Sequence, residues 1–116
     1  MDYNKHKQKS QTNLTFLNSL YNQNFQYKDW LMTILFYISL HCVDGYLDYG
    51  YNIKHIANHR ERRSYVNRYL HNVRRKYRKL EQFSREARYD KLANDIKWSD
   101  VSKWYNIVNQ DFVGLV

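Results

Sequence analysis

Proline is absent from this sequence of 116 residues, glycine occurs three times and cysteine once, as Cys42. A single cysteine excludes an intrachain disulfide framework and a cysteine-based zinc site. Few glycines and no proline mean few turns, which disfavours β-sandwiches, β-barrels and multi-strand α/β folds. The longest apolar stretch, residues 30–43, is shorter than the ~18 residues that a membrane span needs. These absences favour a soluble protein made of a few long helices.

The amino-terminal residues 1–12 are polar and lack the apolar core of a signal peptide. We expect this segment to be disordered and residues 13–116 to form a single helical domain. With neither a signal peptide nor a membrane span, a cytoplasmic protein that does not associate with a membrane is predicted.

Hydrophobic residues make up 43% of the chain and aromatic residues 17%, enough to fill one core. Their helical spacing predicts five segments, the last with Ser99 or Asp100 as its cap and the second with Asp29 as cap and Gly50 as stop. The segments are 13–22, one that begins near residue 27 or 29 and ends near 48, 59–83, 85–93 after an interruption at Ser84, and 99–112. The predicted fold class is all-α, a bundle of four to five helices.

The second predicted helix is apolar nearly all round, as is typical of the central helix of a bundle. His41 lies in its middle, and a buried imidazole needs a polar partner. Asp44, one turn further on, is a candidate partner that would orient the ring and raise its pKa. A histidine that is satisfied within the core and has no catalytic part is the alternative.

His59 and Arg62 lie three residues apart at the start of the third predicted helix and share a face, behind Asn58 as a cap. An imidazole and a guanidinium beside a helix amino terminus suit a phosphate, although a merely basic cap has the same pattern. If the loop places them over His41, two imidazoles and a guanidinium can cleave RNA without a metal. His41, His59, Arg62 and Asp44 are therefore the candidate catalytic residues.

The positive charge is concentrated in residues 54–91, which hold 13 of the 19 basic residues and only four acids, while the whole chain has a net charge of +8. Arginines interleaved with tyrosines favour a nucleic acid as partner, above all RNA, although a solvated helix face has similar charge. The candidate nucleic-acid-binding residues are Arg60, Arg63, Arg74, Arg75, Arg78, Lys79, Arg85, Arg88 and Tyr89.

No cofactor or metal is expected. The sequence has no glycine-rich phosphate loop, no Gly-x-Ser-x-Gly and no His-Glu-x-x-His. His55 and His59 stand one turn apart, but arginines crowd them and carboxylates are scarce, which is a poor setting for a metal ion.

Three short elements in order resemble the HEPN-domain family, in particular small prokaryotic HEPN-like proteins. They are an aromatic-Tyr-x-x-x-His run ending at His41, a His-x-x-Arg at residues 59–62, and a Ser-x-x-Ala-Arg-Tyr element at residues 84–89. The resemblance covers about residues 13–110. It implies a HEPN-like bundle, a homodimer, and binding of RNA or nucleotides.

The resemblance also implies a metal-independent endoribonuclease of a toxin–antitoxin or phage-defence system, with an antitoxin as protein partner. The chain departs from the Arg-x(4–6)-His motif of those ribonucleases, because no arginine lies five to seven residues before any histidine. The positions that match the family are His41, His59, Arg62, Arg88 and Tyr89. A non-catalytic protein-interaction module, a regulator or inhibitor whose basic face fits an acidic protein, is the alternative function.

Overall fold

The computed structural model describes residues 2–23, 26–89 and 95–116, which contain five α-helices and no β-strand. The helices are α1 (Tyr3–Asn22), α2 (Lys28–Tyr51), α3 (His59–Tyr69), α4 (Arg74–Tyr89) and α5 (Trp98–Ile107). A π-helical turn (Val108–Phe112) and a 3-10 turn (Val113–Leu115) follow α5. The prediction of an all-α bundle of four to five helices is confirmed.

The central helix is α2, which packs against α1, α4, α5 and the two carboxy-terminal turns. Its apolar residues interdigitate with those of its neighbours in one core, where Leu35, Phe36 and Tyr77 are fully buried. Among the described helices, α2 alone is long and apolar enough to cross a membrane, but 72% of its most apolar window is buried inside the protein. This is the character of the core helix of a globular bundle.

The first helix begins at Tyr3 and not near Asn13, so residues 3–12, which we expected to be disordered, are helical. Asp2 caps the helix by accepting the backbone N–H of Lys5 at 2.9 Å. His6 is buried against α2, and the hydroxyl of Tyr3 donates to the carbonyl oxygen of Val116 at 2.8 Å. The segment is polar in composition, but one of its faces, with His6 and Ser10, is buried against the core.

The long helix predicted from His59 to Phe83 is two helices, because the chain leaves helical geometry at Leu70 (φ −125°, ψ 52°). Leu70 and Val73 turn into the core there, and their burial favours the break. The interruption predicted at Ser84 is wrong: α4 continues through it, and the buried Ser84 hydroxyl accepts a hydrogen bond from Arg88 at 2.5 Å. The predicted helical residues 90–93 lie outside the described part of the chain.

The predicted caps of α2 and α5 were also wrong. Tyr27 is the residue before α2 and its side chain does not cap the helix, so Asp29 lies in the first turn. The helix passes through Gly50 and ends at Tyr51; the next residue, Asn52, caps it with a left-handed backbone (φ 56°) that asparagine tolerates. Similarly, α5 starts at Trp98 after Lys97, ahead of the serine and aspartate predicted as caps.

Candidate nucleic-acid interface

A buried ion pair joins α2 to α3. Arg62 Nε lies 2.7 Å from Asp44 Oδ1, and Arg62 Nη2 lies 3.0 Å from Asp44 Oδ2. The predicted cap is confirmed: Asn58 Oδ1 accepts the backbone N–H of Glu61 at 2.9 Å and fixes the first turn of α3. Only 10% of the Arg62 side chain is exposed. The guanidinium is therefore neutralised inside the protein and is not presented to a phosphate.

His59 lies beside this ion pair. Arg62 Nη1 is 3.3 Å from His59 Nδ1, and Glu81 Oε2 is 3.6 Å from the same nitrogen. The contact with Arg62 needs an unprotonated Nδ1 as acceptor, whereas an ion pair with Glu81 needs a protonated ring. Burial and the positive charge of Arg62 lower the pKa of His59. The neutral ring, accepting from Arg62, is therefore the form that this geometry favours.

His41 has a different partner from the one that the sequence predicts. Its Nδ1 lies 3.1 Å from Nδ1 of His6, while Asp44 is engaged by Arg62. Burial and the neighbouring His6 lower the pKa of His41 to about 4, and burial also lowers the pKa of His6. At neutral pH both rings are uncharged, and one Nδ1–H donates to the other Nδ1.

The structure thus joins Asp44 and His59 through Arg62, whereas His41 contacts His6 and interacts with Asp44 and Arg62 only electrostatically. No contact joins His41 to His59 within the described part of the chain. Metal-free RNA cleavage by two histidines needs one imidazole as base and one imidazolium as acid. Because the pKa values of both rings are lowered, the neutral form predominates in both at neutral pH, which favours the base over the acid.

Two buried polar residues of α4 complete the charge cluster and were missed from the sequence. Glu81 Oε1 accepts from Arg63 Nη1 at 3.0 Å. Tyr77 is fully buried, its hydroxyl has no hydrogen-bond partner among the described residues, and burial raises its pKa. Their spacing could have identified them, because Tyr77 and Glu81 are four residues apart and therefore share the buried face of α4. His6 was missed because its segment was taken as disordered.

The solvent face of α4 carries a stripe of cations, which we call the basic stripe. Its members are exposed and lie on one side of the helix, three, four and ten residues after the first of them. They are Arg75, Arg78, Lys79 and Arg85. No side chain of the stripe has an ion pair or hydrogen bond with another described residue. The stripe extends about 15 Å along the helix axis. It therefore offers solvent a row of charges that no carboxylate of the described residues pairs with.

The other predicted nucleic-acid-binding residues differ in their exposure and in whether another side chain holds them. Arg60 is exposed in the first turn of α3, and Arg74 is half-buried at the start of α4. Arg63 is held by Glu81. Arg88 lies with its guanidinium carbon 5.8 Å from the ring centroid of the exposed Tyr89 at the end of α4. Of the predicted set, the stripe is the part most available to a ligand.

Comparisons with protein-family models, with curated proteins and with solved structures found no match to this chain.

Proposed function

We propose that this protein binds single-stranded RNA through the basic stripe of α4. One observation carries the proposal: Arg75, Arg78, Lys79 and Arg85 share one solvent-facing row and have no carboxylate partner among the described residues. Cations in this arrangement neutralise phosphates and release counterions, which is the main source of affinity for a nucleic acid. Arginine adds paired N–H donors that match phosphate oxygens.

Binding without cleavage is the form of the proposal that the site chemistry supports. The guanidinium of Arg62 is occupied by Asp44, and the lowered pKa values of His41 and His59 favour the neutral ring over the imidazolium at neutral pH. A metal-independent ribonuclease, which the HEPN resemblance implies, would need these groups to rearrange around its substrate. We therefore place RNA binding first and ribonuclease activity second.

The biological setting is proposed from the HEPN resemblance. It is a cytoplasmic, homodimeric protein of a toxin–antitoxin or phage-defence system. An antitoxin with an acidic surface would compete with RNA for the basic stripe, because both ligands need the same cations.

One observation favours the alternative, a protein-interaction module. An apolar cavity of about 330 Å³ lies between α1 and the start of α2. It is lined by Phe16, Leu20, Tyr27, Trp30 and Ile34. Exposed aromatic clusters of this kind are common where a protein docks. If RNA binding fails the test below, this cavity is the surface to examine for a protein partner.

The test measures binding of a fluorescein-labelled, unstructured RNA of 12 nucleotides by anisotropy, from about 50 to 200 mM salt. Four phosphate contacts predict an affinity loss of about 50-fold over this range. The double variant Arg78→Ala/Lys79→Ala should bind at least about tenfold more weakly at low salt and should reduce the log–log salt slope by about 1.4.

The matched control is Lys97→Ala/Lys103→Ala, which removes the same charge from exposed positions at and near the start of α5. It should bind RNA almost as the unaltered protein does. Equal losses in both double variants, or an affinity independent of salt, would reject the basic stripe as the binding surface. Tighter binding to duplex DNA than to the RNA would reassign the ligand.

A further inference from the structure

Two aromatic rings, one at the start of α2 and one at the end of α4, are unusually exposed. Trp30 lies in the first turn of α2 and is 60% exposed, although α2 is otherwise the most buried helix. Tyr89, the last residue of α4, is 77% exposed. Each ring keeps much of its apolar surface in water, which is unfavourable unless a ligand covers it.

The two rings line the same cavity. It has a volume of about 250 Å³ and is bordered by Asp29, Trp30, Thr33, Ala87, Arg88 and Tyr89. No ring contact joins Trp30 to Tyr89 in the described ranges, so the rings do not fill the space themselves. The cavity is smaller than the roughly 300–1,000 Å³ of drug-sized sites, and its volume suits a single flat ring system.

Small side chains form the inner wall of the cavity. Ala87 is buried and Thr33 nearly so, and the hydroxyl of Thr33 is already used, because it donates to the backbone carbonyl oxygen of Asp29 at 2.9 Å. A ligand therefore meets a methyl group and a satisfied hydroxyl there. This wall suits the edge of a stacked ring and offers it no hydrogen bond.

One polar group at the cavity lacks a partner. Oδ1 of Asp29 is enclosed by protein and has no hydrogen-bond partner among the described residues. A carboxylate oxygen accepts hydrogen bonds and cannot donate them. A ligand with an N–H group on its edge would satisfy this carboxylate.

The cavity continues the basic stripe. Tyr89 lies one turn beyond Arg85, about 6 Å along the helix axis, and Arg88 lies against the Tyr89 ring. A strand whose phosphates follow the stripe therefore arrives with a base beside Trp30 and Tyr89. Aromatic side chains at the end of a basic groove are the usual stacking platform for unpaired bases.

We propose that the cavity between the start of α2 and the end of α4 binds one unpaired nucleobase that carries an exocyclic amino group. The inference rests on the proposed RNA binding and adds the class of base. Trp30 and Tyr89 stack on the base, and Asp29 accepts a hydrogen bond from its amino group. Adenine, cytosine and guanine each present such an amino group. Uracil offers only its N3–H, which lies between two carbonyl oxygens that the carboxylate repels, and it is therefore disfavoured.

The experiment compares oligonucleotides A8, C8 and U8 by anisotropy at fixed salt. A8 and C8 should bind about tenfold more tightly than U8, the worth of one hydrogen bond to a charged group. Trp30→Ala should weaken the binding of A8 by about tenfold or more. The slope of log affinity against log salt should stay unchanged, because stacking releases no counterions. Asp29→Asn should erase the preference over U8, since an amide also donates to a carbonyl.

Controls separate folding and electrostatics from the base pocket. Trp30→Phe retains a ring and should lose less affinity than Trp30→Ala. Tyr49→Ala removes a comparably exposed ring, 79% exposed, near the other end of α2 and should leave A8 binding unchanged. Circular dichroism melting checks that each variant is folded.

A second probe makes the pocket testable apart from the basic stripe. Adenosine monophosphate should quench tryptophan fluorescence more than uridine monophosphate does, in the unaltered protein and in Arg78→Ala/Lys79→Ala alike, but not in Trp30→Phe. If the stripe variant loses RNA while Trp30→Ala binds it normally and no base is preferred, the base pocket is rejected and the proposed function stands. If RNA binding fails while Trp30 quenching by adenosine monophosphate persists, the stripe is rejected and the pocket stands.

Discussion

Arg62 binds Asp44 through two parallel N–H···O contacts of 2.7 and 3.0 Å, across the boundary between α3 and α2. Both side chains are almost completely withdrawn from water. Removal of either partner would leave the other charge buried without a counter-charge, and this cost is the main way in which the pair stabilises the fold. The same contact explains why Arg62, the arginine of the predicted catalytic set, is not available to a substrate.

We expect Asp44→Asn to lower the free energy of unfolding by about 3–5 kcal/mol, because the guanidinium of Arg62 stays buried without a counter-charge. Urea denaturation followed by circular dichroism measures the change. Replacing both partners, as in Asp44→Leu/Arg62→Met, should cost less than Asp44→Asn alone, since no isolated charge remains. A double variant less stable than Asp44→Asn would mean that the pair has a larger net stabilising effect than we argue.

The architecture was predictable because one strong signal, the apolar character of residues 30–43, identifies the central helix. The break at Leu70 was not, because Val66, Leu70, Val73 and Tyr77 keep helical spacing through the turn. Periodicity records which residues are buried and says little about whether the backbone between them stays helical. The helical residues 3–12 were hidden for the opposite reason, since few apolar residues mark their buried face.

The contacts between the candidate catalytic residues were only partly predictable from the sequence. Asp44, His59 and Arg62 do meet, but the sequence assigned Asp44 to His41, three residues away on the same helix. Arg62, 18 positions further along the chain, binds Asp44 instead. Spacing on one helix finds neighbours on that helix, while the contacts between helices depend on packing that the sequence does not display.

The histidine pair between α1 and α2 predicts a loss of stability in weak acid. The pKa of His41 is about 4 in the folded protein, lowered mainly by burial, against the ordinary value of 6.5. Between these values the unfolded chain binds a proton that the folded protein does not, so stability falls as pH drops from 6.5 to about 4 and is unaffected above this window. His6, whose pKa is also lowered by burial, adds a change of the same sign.

Urea midpoints at pH 7.5, 5.5 and 4.5 measure this effect. His41→Gln should reduce the difference between pH 7.5 and 4.5, whatever its effect at pH 7.5. His71→Gln, an exposed histidine in the turn between α3 and α4, is the control and should keep the full difference. A pH profile that is the same in both variants would show that the acid sensitivity arises elsewhere.

Two glycines of α2 should respond to alanine in opposite directions. A Cβ atom at Gly45 would lie 2.8 Å from Val116 Cγ1 and 3.3 Å from His6 Cβ, whereas at Gly50 it would meet nothing within 4 Å. Gly45→Ala should cost about 1–3 kcal/mol through overpacking where α1 and the carboxy terminus meet α2. Gly50→Ala should gain roughly 0.5–1 kcal/mol from helix propensity. Thermal melting compares them, and stabilisation by Gly45→Ala would mean that α1 packs less closely than the structure indicates.

The last prediction concerns chemistry at the charge cluster. We expect end-labelled transfer RNA and total RNA to remain intact with the protein at pH 7 in EDTA, because the lowered pKa values of His41 and His59 disfavour the imidazolium that would protonate a leaving oxygen. Cleavage that leaves 2′,3′-cyclic phosphate ends and is lost in His59→Ala would contradict this expectation. Such a result would require Arg62 to leave Asp44 when RNA binds. In that case Asp44→Asn, which frees the guanidinium, should increase the cleavage rate, and a decrease would assign Asp44 a positioning role.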